Sequence, residues 1–368
     1  MRDNKKFSVP IVGSVVLCLC IPPITRATPN EEGDVMINID GAYARLASLS
    51  ASHLGKTAPN PNVTAAIYSS DGTLIAEGAH NRLASPDHAE VVAIKKAGEA
   101  AHGATIIVSL EPCNHTGTTG PCVDAIIDAG ITKVIYAFMD PNPIAVGGAE
   151  RLKSAGIDVE FIDSKELRET QGAWLHRITT GRPYFIWKVA ASLDGRIAAS
   201  DGTSQWISSP ESREDVQYLR AQSDAILIGT GTALADNPTL RPRFEGATNP
   251  IRIVMGGRDV PADFNLNDGK SQTIFLKSHS VEDLLKALDY IPVNQVLVEA
   301  GPQLGSALFT AGVIDEVILY QAPILLGSGK SWLEDIGITT IKGAHALSAP
   351  SVTMCGPDFK FRYRVEKR

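Results

Sequence analysis

At 368 residues, 44% hydrophobic and 20% charged, the chain is long enough for two globular domains of ordinary size, and it carries no repeat or low-complexity tract. Its formal net charge of −7 argues against a nucleic-acid partner held by phosphate neutralisation. Five cysteines do not suggest a disulfide framework: Cys18 and Cys20 lie near the N-terminus, Cys355 is isolated, and only Cys113 and Cys122 sit in a common setting.

Arg2, Lys5 and Lys6 precede an apolar run from Phe7 to Ile24 that imitates a secretory signal or a membrane anchor. Pro10, Pro22 and Pro23 make that run a poor continuous membrane helix, and Met36 opens a segment that reads as the start of the folded chain. Residues 1–35 are therefore expected to be a leader or upstream extension outside the fold, with translation starting near Met36. A cytoplasmic protein without a membrane partner is expected, because reduced thiolates suit a reducing compartment.

From Ile39 to His53, the apolar residues Ile39, Tyr43, Leu46 and Leu49 recur at helical spacing, and Gly55 is a natural stop. Val63 to Tyr68 and Leu74 to Gly78 read as strands around the hairpin signal Ser70-Asp71-Gly72. Glu90 to Ala100 reads as a helix, Thr105 to Leu110 as a buried strand, Val123 to Ala129 as a helix stopped by Gly130, and Lys133 to Met139 as a strand. This alternation predicts a largely parallel sheet covered on both faces.

Within that frame stand His88-Ala89-Glu90, Glu111-Pro112-Cys113 and Gly120-Pro121-Cys122. One imidazole and two thiolates make three protein ligands for Zn²⁺, one short of a closed tetrahedron, as a catalytic zinc requires. Glu90 is the spare carboxylate that can carry protons between an activated water and a leaving group. His-x-Glu followed by Pro-Cys and a second Cys is the signature of zinc deaminases of cytosine- or adenine-like rings, with one departure. Eight residues separate Cys113 from Cys122 where two are usual. His88 and Cys122 both fall at helix entrances, whose partial positive charge favours a thiolate. Two residues turn roughly 200° on a helix, so Glu90 can serve this site only if His88 lies at the non-helical edge of the first turn. A structural zinc with His115 as fourth ligand is the competing interpretation. Upstream, Asn60 and Asn62 in Pro59-Asn60-Pro61-Asn62-Val63 offer amides to a heterocycle or simply build a turn, and His80 is open between surface residue and substrate contact.

After a helical stretch from Lys165 to Arg177, Thr179-Thr180-Gly181-Arg182-Pro183 reads as a linker. Strands are expected at Phe185 to Ala191, Ala225 to Gly229, Ile251 to Met255, Thr273 to Leu276, Gln295 to Glu299 and Glu316 to Ala322. No complete Gly-x-Gly-x-x-Gly opens a helix, so the Rossmann fingerprint is absent. Gly229-Thr230-Gly231-Thr232 and Glu299-Ala300-Gly301-Pro302-Gln303-Leu304-Gly305, the latter before a helix from Ser306 to Ala311, are the candidate phosphate turns. Arg220, Arg241 and Arg243 are candidate clamps for a phosphorylated substrate, or solvated surface arginines.

These residues together resemble the bifunctional deaminase and reductase family of riboflavin biosynthesis. The resemblance runs from about Met36 to the C-terminus and follows family order: Pro59 to Val63, His88 to Val91, Leu110 to Cys113, Gly120 to Cys122, Asp140-Pro141-Asn142-Pro143, Lys188 with Ser192 to Gly195, Ser204 to Ile207, Thr232 to Arg243, and Glu299 to Gly301. The long Cys113 to Cys122 spacing is the spacing of this family. The resemblance implies an α/β chain with a cytidine-deaminase-like three-layer domain over 36–178, then a dihydrofolate-reductase-like domain over 184–368. It also implies zinc-dependent removal of an amino group from a diaminopyrimidinone ribosylamino phosphate, then NADPH-dependent reduction of the ribosyl group to ribityl. Carried over residue by residue, Ala190, Trp206, Thr232, Asp236 and the run Gly301, Pro302, Gln303, Leu304, Gly305, Ser306 and Ala307 resemble NADP contacts. Ser204, Arg220, Leu240, Arg243 and Glu299 resemble contacts to the reductase substrate, the arginines to its phosphate. Lys188 and Asp194 match motif positions without an assigned step.

The chain departs from the family at Thr64, usually Gly, at Thr118, where a basic residue is common, and at Gly120, where Pro is common. One more residue than usual lies between His80 and His88. A protein retaining one activity, a nucleic-acid base deaminase and a non-catalytic zinc and nucleotide binder are the alternatives, and a homo-oligomer is compatible with the sequence. The expectation for the N-terminus is checked by the intact mass of protein made from its native gene, which should show a chain starting near Met36. A mature chain carrying Met1, or an exported chain cut after the apolar run, would overturn it.

Overall fold

The computed structural model describes residues 37–143 and 145–366, so the expected leader lies outside the described residues. Among them, no helix is long and apolar enough to cross a membrane.

The first unit begins with α1 (Ile39–Ala51), whose N-terminus is capped by the Asn38 side chain accepting from Gly41 N at 3.0 Å. It buries Ala42, Tyr43, Leu46 and Ala47 on one face, as the helical spacing demands. The hairpin follows as β1 (Thr64–Tyr68) and β2 (Leu74–Ala79). Next come α2 (Ala89–Ala97), β3 (Thr105–Val108), α3 (Cys122–Asp128), β4 (Lys133–Tyr136), α4 (Gly148–Ser154) and β5 (Asp158–Phe161). The expected helix from Lys165 to Arg177 is two, α5 (Lys165–Thr170) and α6 (Gly172–Thr180), so part of the expected linker is helical.

The strands form one sheet in the order β2-β1-β3-β4-β5. It is mixed, which corrects the expected largely parallel arrangement: β1 is antiparallel to both β2 and β3, and only β3-β4-β5 run parallel. The hairpin reverses the chain before α2, so β2 and β3 point the same way on either side of β1. Sequence periodicity reports which residues are buried and carries no information on strand direction. Alternate residues feed opposite faces: Ala65, Ile67, Ile106 and Val108 pack in the core that includes Ala89 and Ala93 of α2 and Val123 and Ile126 of α3. Ala66, Tyr68 and Ile107 pack with Tyr43 and Leu46 of α1 and with Leu167 of α5. Thr64 is buried at a position where the resemblance expects Gly, with its hydroxyl donating to Leu46 O at 3.2 Å and its N–H to Ser109 Oγ at 2.9 Å.

The second unit contains β6 (Tyr184–Ser192), α7 (Pro210–Ala221), β7 (Ala225–Gly229), α8 (Thr230–Asp236), β8 (Ile251–Met255), β9 (Thr273–Leu276) and α9 (Val281–Asp289). It continues with β10 (Gln295–Val298), α10 (Pro302–Thr310), β11 (Glu316–Ala322), β12 (Ser351–Cys355) and β13 (Asp358–Arg364). Its eight strands are ordered β12-β13-β11-β6-β10-β7-β8-β9. From β11 to β9 all pairings are parallel, and β12 and β13 close the other edge antiparallel. Phe185, Trp187 and Val189 of β6 enter one core and Ile186 the other, the near-continuous apolar run of a strand buried on both faces.

Polar contacts fix the join between the units. Arg177 of α6 donates to the carbonyls of Ile291 and Val293, and Arg182 forks onto Asp315 with two bonds of 2.7 Å. Asn294 links both units, because its side chain donates to Asn60 O at 3.2 Å while its N–H donates to Asp224 at 2.8 Å. Asp224 also accepts from Gln295 N at 2.9 Å. Burial pushes its carboxyl up from 3.8 to about 6 against these two bonds.

A carboxyl raised in the folded state stabilises most below its unfolded value, and the contribution is lost as pH rises through about 6. Ionised Asp224 thus costs on the order of 3 kcal/mol at neutral pH. Asp224→Asn keeps an acceptor without the charge. Denaturant unfolding should therefore show wild type gaining on D224N as pH falls from neutrality towards about 4, and a pH-independent difference would refute this account.

Candidate active site

The first constellation is assembled by close approach of helix to strand. A Cβ on Gly78 of β2 would stand 2.0 Å from Ala89 O, so only glycine lets α2 seat directly on the hairpin. His88 is the N-cap of α2, at φ −76° and ψ 164°, while Glu90 is inside the first turn. This is the non-helical edge that the sequence required, and it lets both side chains enter one cleft. Cys122 is the first residue of α3. The loop carrying Cys113 is held by α4, which no sequence signal announced: Glu111 Oε1 accepts from Ala149 N at 3.1 Å, and a Cβ on Gly148 would lie 1.8 Å from Pro112 O.

Three donor atoms converge there. His88 Nδ1 is 3.2 Å from Cys122 Sγ and 3.5 Å from Cys113 Sγ, and all three atoms lie within 4.8 Å of one another. A tetrahedral zinc with ordinary bond lengths separates its nitrogen and sulfur donors by about 3.5 Å, so the set fits that ion. His115 is not in the cluster, and among the described residues no fourth Cys, His, Asp or Glu joins it. The hydrogen bond from Cys122 pulls the Cys113 thiol down to about 4, with His88 adding to the effect against burial. Cys122, which keeps the shared proton, is pushed up by that same bond and by burial. A thiolate is thus favoured even before a cation enters.

Glu90 is 3% exposed, and its Oε2 has no hydrogen-bond partner among the described residues. Burial, then the Cys113 charge, pushes its carboxyl up, as suits a group that must both take and give a proton. His80, left open by the sequence, has both ring nitrogens engaged: Nδ1 donates to Asp87 O at 2.9 Å and Nε2 accepts from Asn60 Nδ2 at 3.0 Å. Burial lowers its pKa, so it stands neutral beside His88 and orients the Asn60 amide. Asn62 lies deeper, donating to Ser50 O at 2.7 Å, and serves the turn. The cleft measures about 540 Å³, a size suited to a small molecule. Sequence reasoning missed its outer wall, the loop from Arg82 to Pro86, where no motif signal stands beyond the extra residue before His88.

The second constellation lies at the carboxyl ends of adjacent parallel strands. β10 pairs with β7, and Glu299 N donates to Leu227 O at 3.0 Å. This sets Gly229 beside α10, where a Cβ on Gly229 would touch Leu304 at 3.7 Å. The two candidate phosphate turns, distant in sequence, therefore become neighbours at helix entrances, where ligands of open α/β sheets bind. Gly301 is the N-cap of α10 and Pro302 to Ala307 form its first turns, an earlier start than the sequence suggested. Thr232 and Asp236 lie on α8 and Ala190 on β6.

Among the substrate candidates, Arg220 and Glu299 meet each other. Arg220 Nε and Nη2 donate to the two carboxylate oxygens at 2.7 and 3.0 Å, and Lys188 Nζ stands 3.4 Å away. Burial raises the Glu299 carboxyl, but Arg220 and then Lys188 overcome it and hold it down to about 2. In this structure Arg220 is thus committed to a carboxylate, and the expected phosphate clamp is not preformed. Arg241 faces Asp268 at 3.3 Å, whereas Arg243 is exposed. Leu240 stands at φ 53° with its side chain in the core, and Ser204 and Trp206 are exposed, with the Arg213 guanidinium 4.5 Å from the Trp206 ring centre. Asp194 accepts from Ser192 Oγ, Leu326 N and Gly327 N, which explains its motif position as a tie between the end of β6 and a later loop.

Comparisons with known proteins match both units. The cytidine and deoxycytidylate deaminase zinc-binding region matches residues 37–138, and the RibD C-terminal domain matches residues 183–361. A riboflavin biosynthesis protein RibD of Mycobacterium tuberculosis is 43% identical over 314 residues, covering 83% of this chain and 91% of its own. Its Escherichia coli counterpart is 40% identical over 344 residues, covering 83% and 90%. The solved structure of Acinetobacter baumannii RibD superposes with a TM-score of 0.80 at 34% identity, covering 88% of this chain and 97% of that one. A deaminase zinc-binding region joined to a RibD C-terminal domain defines a bifunctional deaminase and reductase. The chain belongs to the RibD family of riboflavin biosynthesis.

Removing Arg220 leaves the buried Glu299 charge with Lys188 alone. Arg220→Met is expected to destabilise the fold by about 3 kcal/mol in denaturant unfolding, and Arg220→Met with Glu299→Leu to regain most of the loss. An unchanged midpoint in the single variant would show that the pair is not a structural unit.

Proposed function

We propose that both activities of the family reside in this chain, with deamination in the domain at 36–178 and reduction in the domain at 184–368. The observation that carries the reading is the convergence of His88, Cys113 and Cys122 beside the buried carboxyl group of Glu90, whose Oε2 has no hydrogen-bond partner among the described residues. The relative solved from Thermotoga maritima is described as a diaminohydroxyphosphoribosylaminopyrimidine deaminase and 5-amino-6-(5-phosphoribosylamino)uracil reductase. The substrate proposed here is accordingly a diaminopyrimidinone ribosylamino phosphate, a small molecule and not a nucleic acid, in keeping with the net charge of −7. A cytoplasmic location follows from the thiol ligands.

His88, Cys113 and Cys122 would hold zinc, which when bound supplies Lewis-acid activation of water at neutral pH. Glu90 takes a proton from that water as its oxygen adds to the ring carbon bearing the amino group. It passes that proton to the adjacent ring nitrogen and then carries the remaining hydroxyl proton to the amino nitrogen, which departs as ammonia and leaves a carbonyl. Burial favours the protonated form of Glu90 between these transfers. Asn60, fixed by His80, presents its amide to the ring edge. In the second domain, the first turn of α10 with Thr232 and Asp236 would hold NADPH, the hydride donor for opening the ribosyl group to ribityl. Ser204, Leu240, Arg243 and the Arg220–Glu299 pair border the proposed substrate position.

Purified zinc-loaded protein should release ammonia from this substrate without NADPH and oxidise NADPH when the cofactor is added. Glu90→Gln should retain zinc and NADPH oxidation on the deaminated compound while ammonia release falls about 10²- to 10⁴-fold. Undiminished ammonia release from E90Q would overturn the assignment of Glu90, and NADPH oxidation with no ammonia from wild type would favour a chain retaining one activity.

A further inference from the structure

The catalytic cleft carries an uneven charge. Its buried part holds the carboxyl groups of Glu90 and Asp140, with Glu111 partly buried beside them. A phosphate dianion is repelled from that end and requires a cation elsewhere on the wall. Thr118 and Thr119, on the loop after His115, offer only hydroxyls. Among the described residues that line the cleft, Arg82 is the one lysine or arginine.

Arg82 is exposed, at the solvent side of the cleft, and it is tethered twice. Its N–H donates to Lys56 O at 3.0 Å and its Nη1 to Ala58 O at 3.1 Å, which ties it to the segment leading into Pro59-Asn60-Pro61. Its Nε and Nη2 have no protein partner among the described residues. The loop that carries it is internally bonded: Asn81 accepts from the N–H groups of Leu83, Ala84 and Ser85, Ser85 Oγ accepts from Asp87 N, and Asp87 pairs with Lys95 at 2.6 Å. The guanidinium therefore meets a ligand already positioned, which lowers the entropic cost of binding.

We propose that Arg82 anchors the phosphate of the deaminase substrate, replacing the basic side chain that Thr118 lacks. This rests on the deaminase reading above and adds the orientation of the substrate to it. The ring enters toward Glu90, and the phosphate stays at the cleft mouth, where the free guanidinium donors make forked hydrogen bonds to its oxygens.

The test compares ammonia release, without NADPH, from the phosphorylated substrate and from the same ribosylamino compound lacking the phosphate. Arg82→Ala should raise KM for the phosphorylated compound about ten- to a hundredfold, the scale of hydrogen bonds to a charged group. Arg82→Lys should recover part of that loss. For the unphosphorylated compound wild type and R82A should share one KM, and NADPH oxidation on the deaminated compound should be the same in both. An unchanged KM in R82A, or an equal penalty on both compounds, overturns the role of Arg82 while leaving the deaminase reading intact. No ammonia from wild-type protein on either compound overturns both.

Discussion

The seating of α2 on the hairpin is the constraint from which the deaminase domain follows. Gly78 has no side chain to hold the helix off β2, so the entrance of α2 reaches the entrance of α3 and His88 meets Cys122 at 3.2 Å. Moving the helix outward by the width of a methyl group would separate donors that must share one ion within bond lengths of about 2.0 to 2.3 Å. The same close packing removes water from Glu90, and that desolvation shifts its proton affinity. Metal geometry and carboxylate chemistry thus have one cause, an apolar core formed by Ala89, Ala93, Val123 and Ile126 under the sheet.

The reductase domain relies on a different device. Its two candidate phosphate turns come from separate parts of the chain and are brought together because β7 and β10 run parallel and end side by side. A buried carboxylate, Glu299, closes β10 and is neutralised by Arg220 and Lys188 from α7 and β6. Three elements are thereby locked around one charge at the carboxyl end of the parallel strands. Asn294, just before β10, touches Asn60 in the deaminase cleft, so the wall of one site and the frame of the other share a hydrogen-bonded link.

Much of this was legible locally. The strands Ala225–Gly229, Ile251–Met255, Thr273–Leu276 and Glu316–Ala322 agree with their sequence patterns, because continuous apolar β-branched runs bounded by turn residues have few other solutions. The requirement that His88 stand outside the helix came from the pitch of the helix alone. Less was legible where polarity hides structure. β12 and β13 expose Val352, Met354 and Phe359, and α4 is short and capped by a distant Glu111, so neither gave a buried-face pattern. Arg220 read as a candidate phosphate clamp or a solvated arginine because its partner lies far away in the chain, and Arg82 stands in no motif.

By itself, the sequence determined the chemistry: one imidazole, two thiolates, a spare carboxylate, two α/β units and the glycine turns of the second. Those are properties of residue type and short-range spacing, and short-range spacing is what burial periodicity and turn chemistry record. Only the tertiary structure decided that β1 runs against both its neighbours, that Arg220 closes on Glu299, and that Arg82 faces the same cleft as Glu90. Each depends on which distant segments become neighbours, and that is set by the packing of whole elements against shared cores, a quantity no local pattern contains.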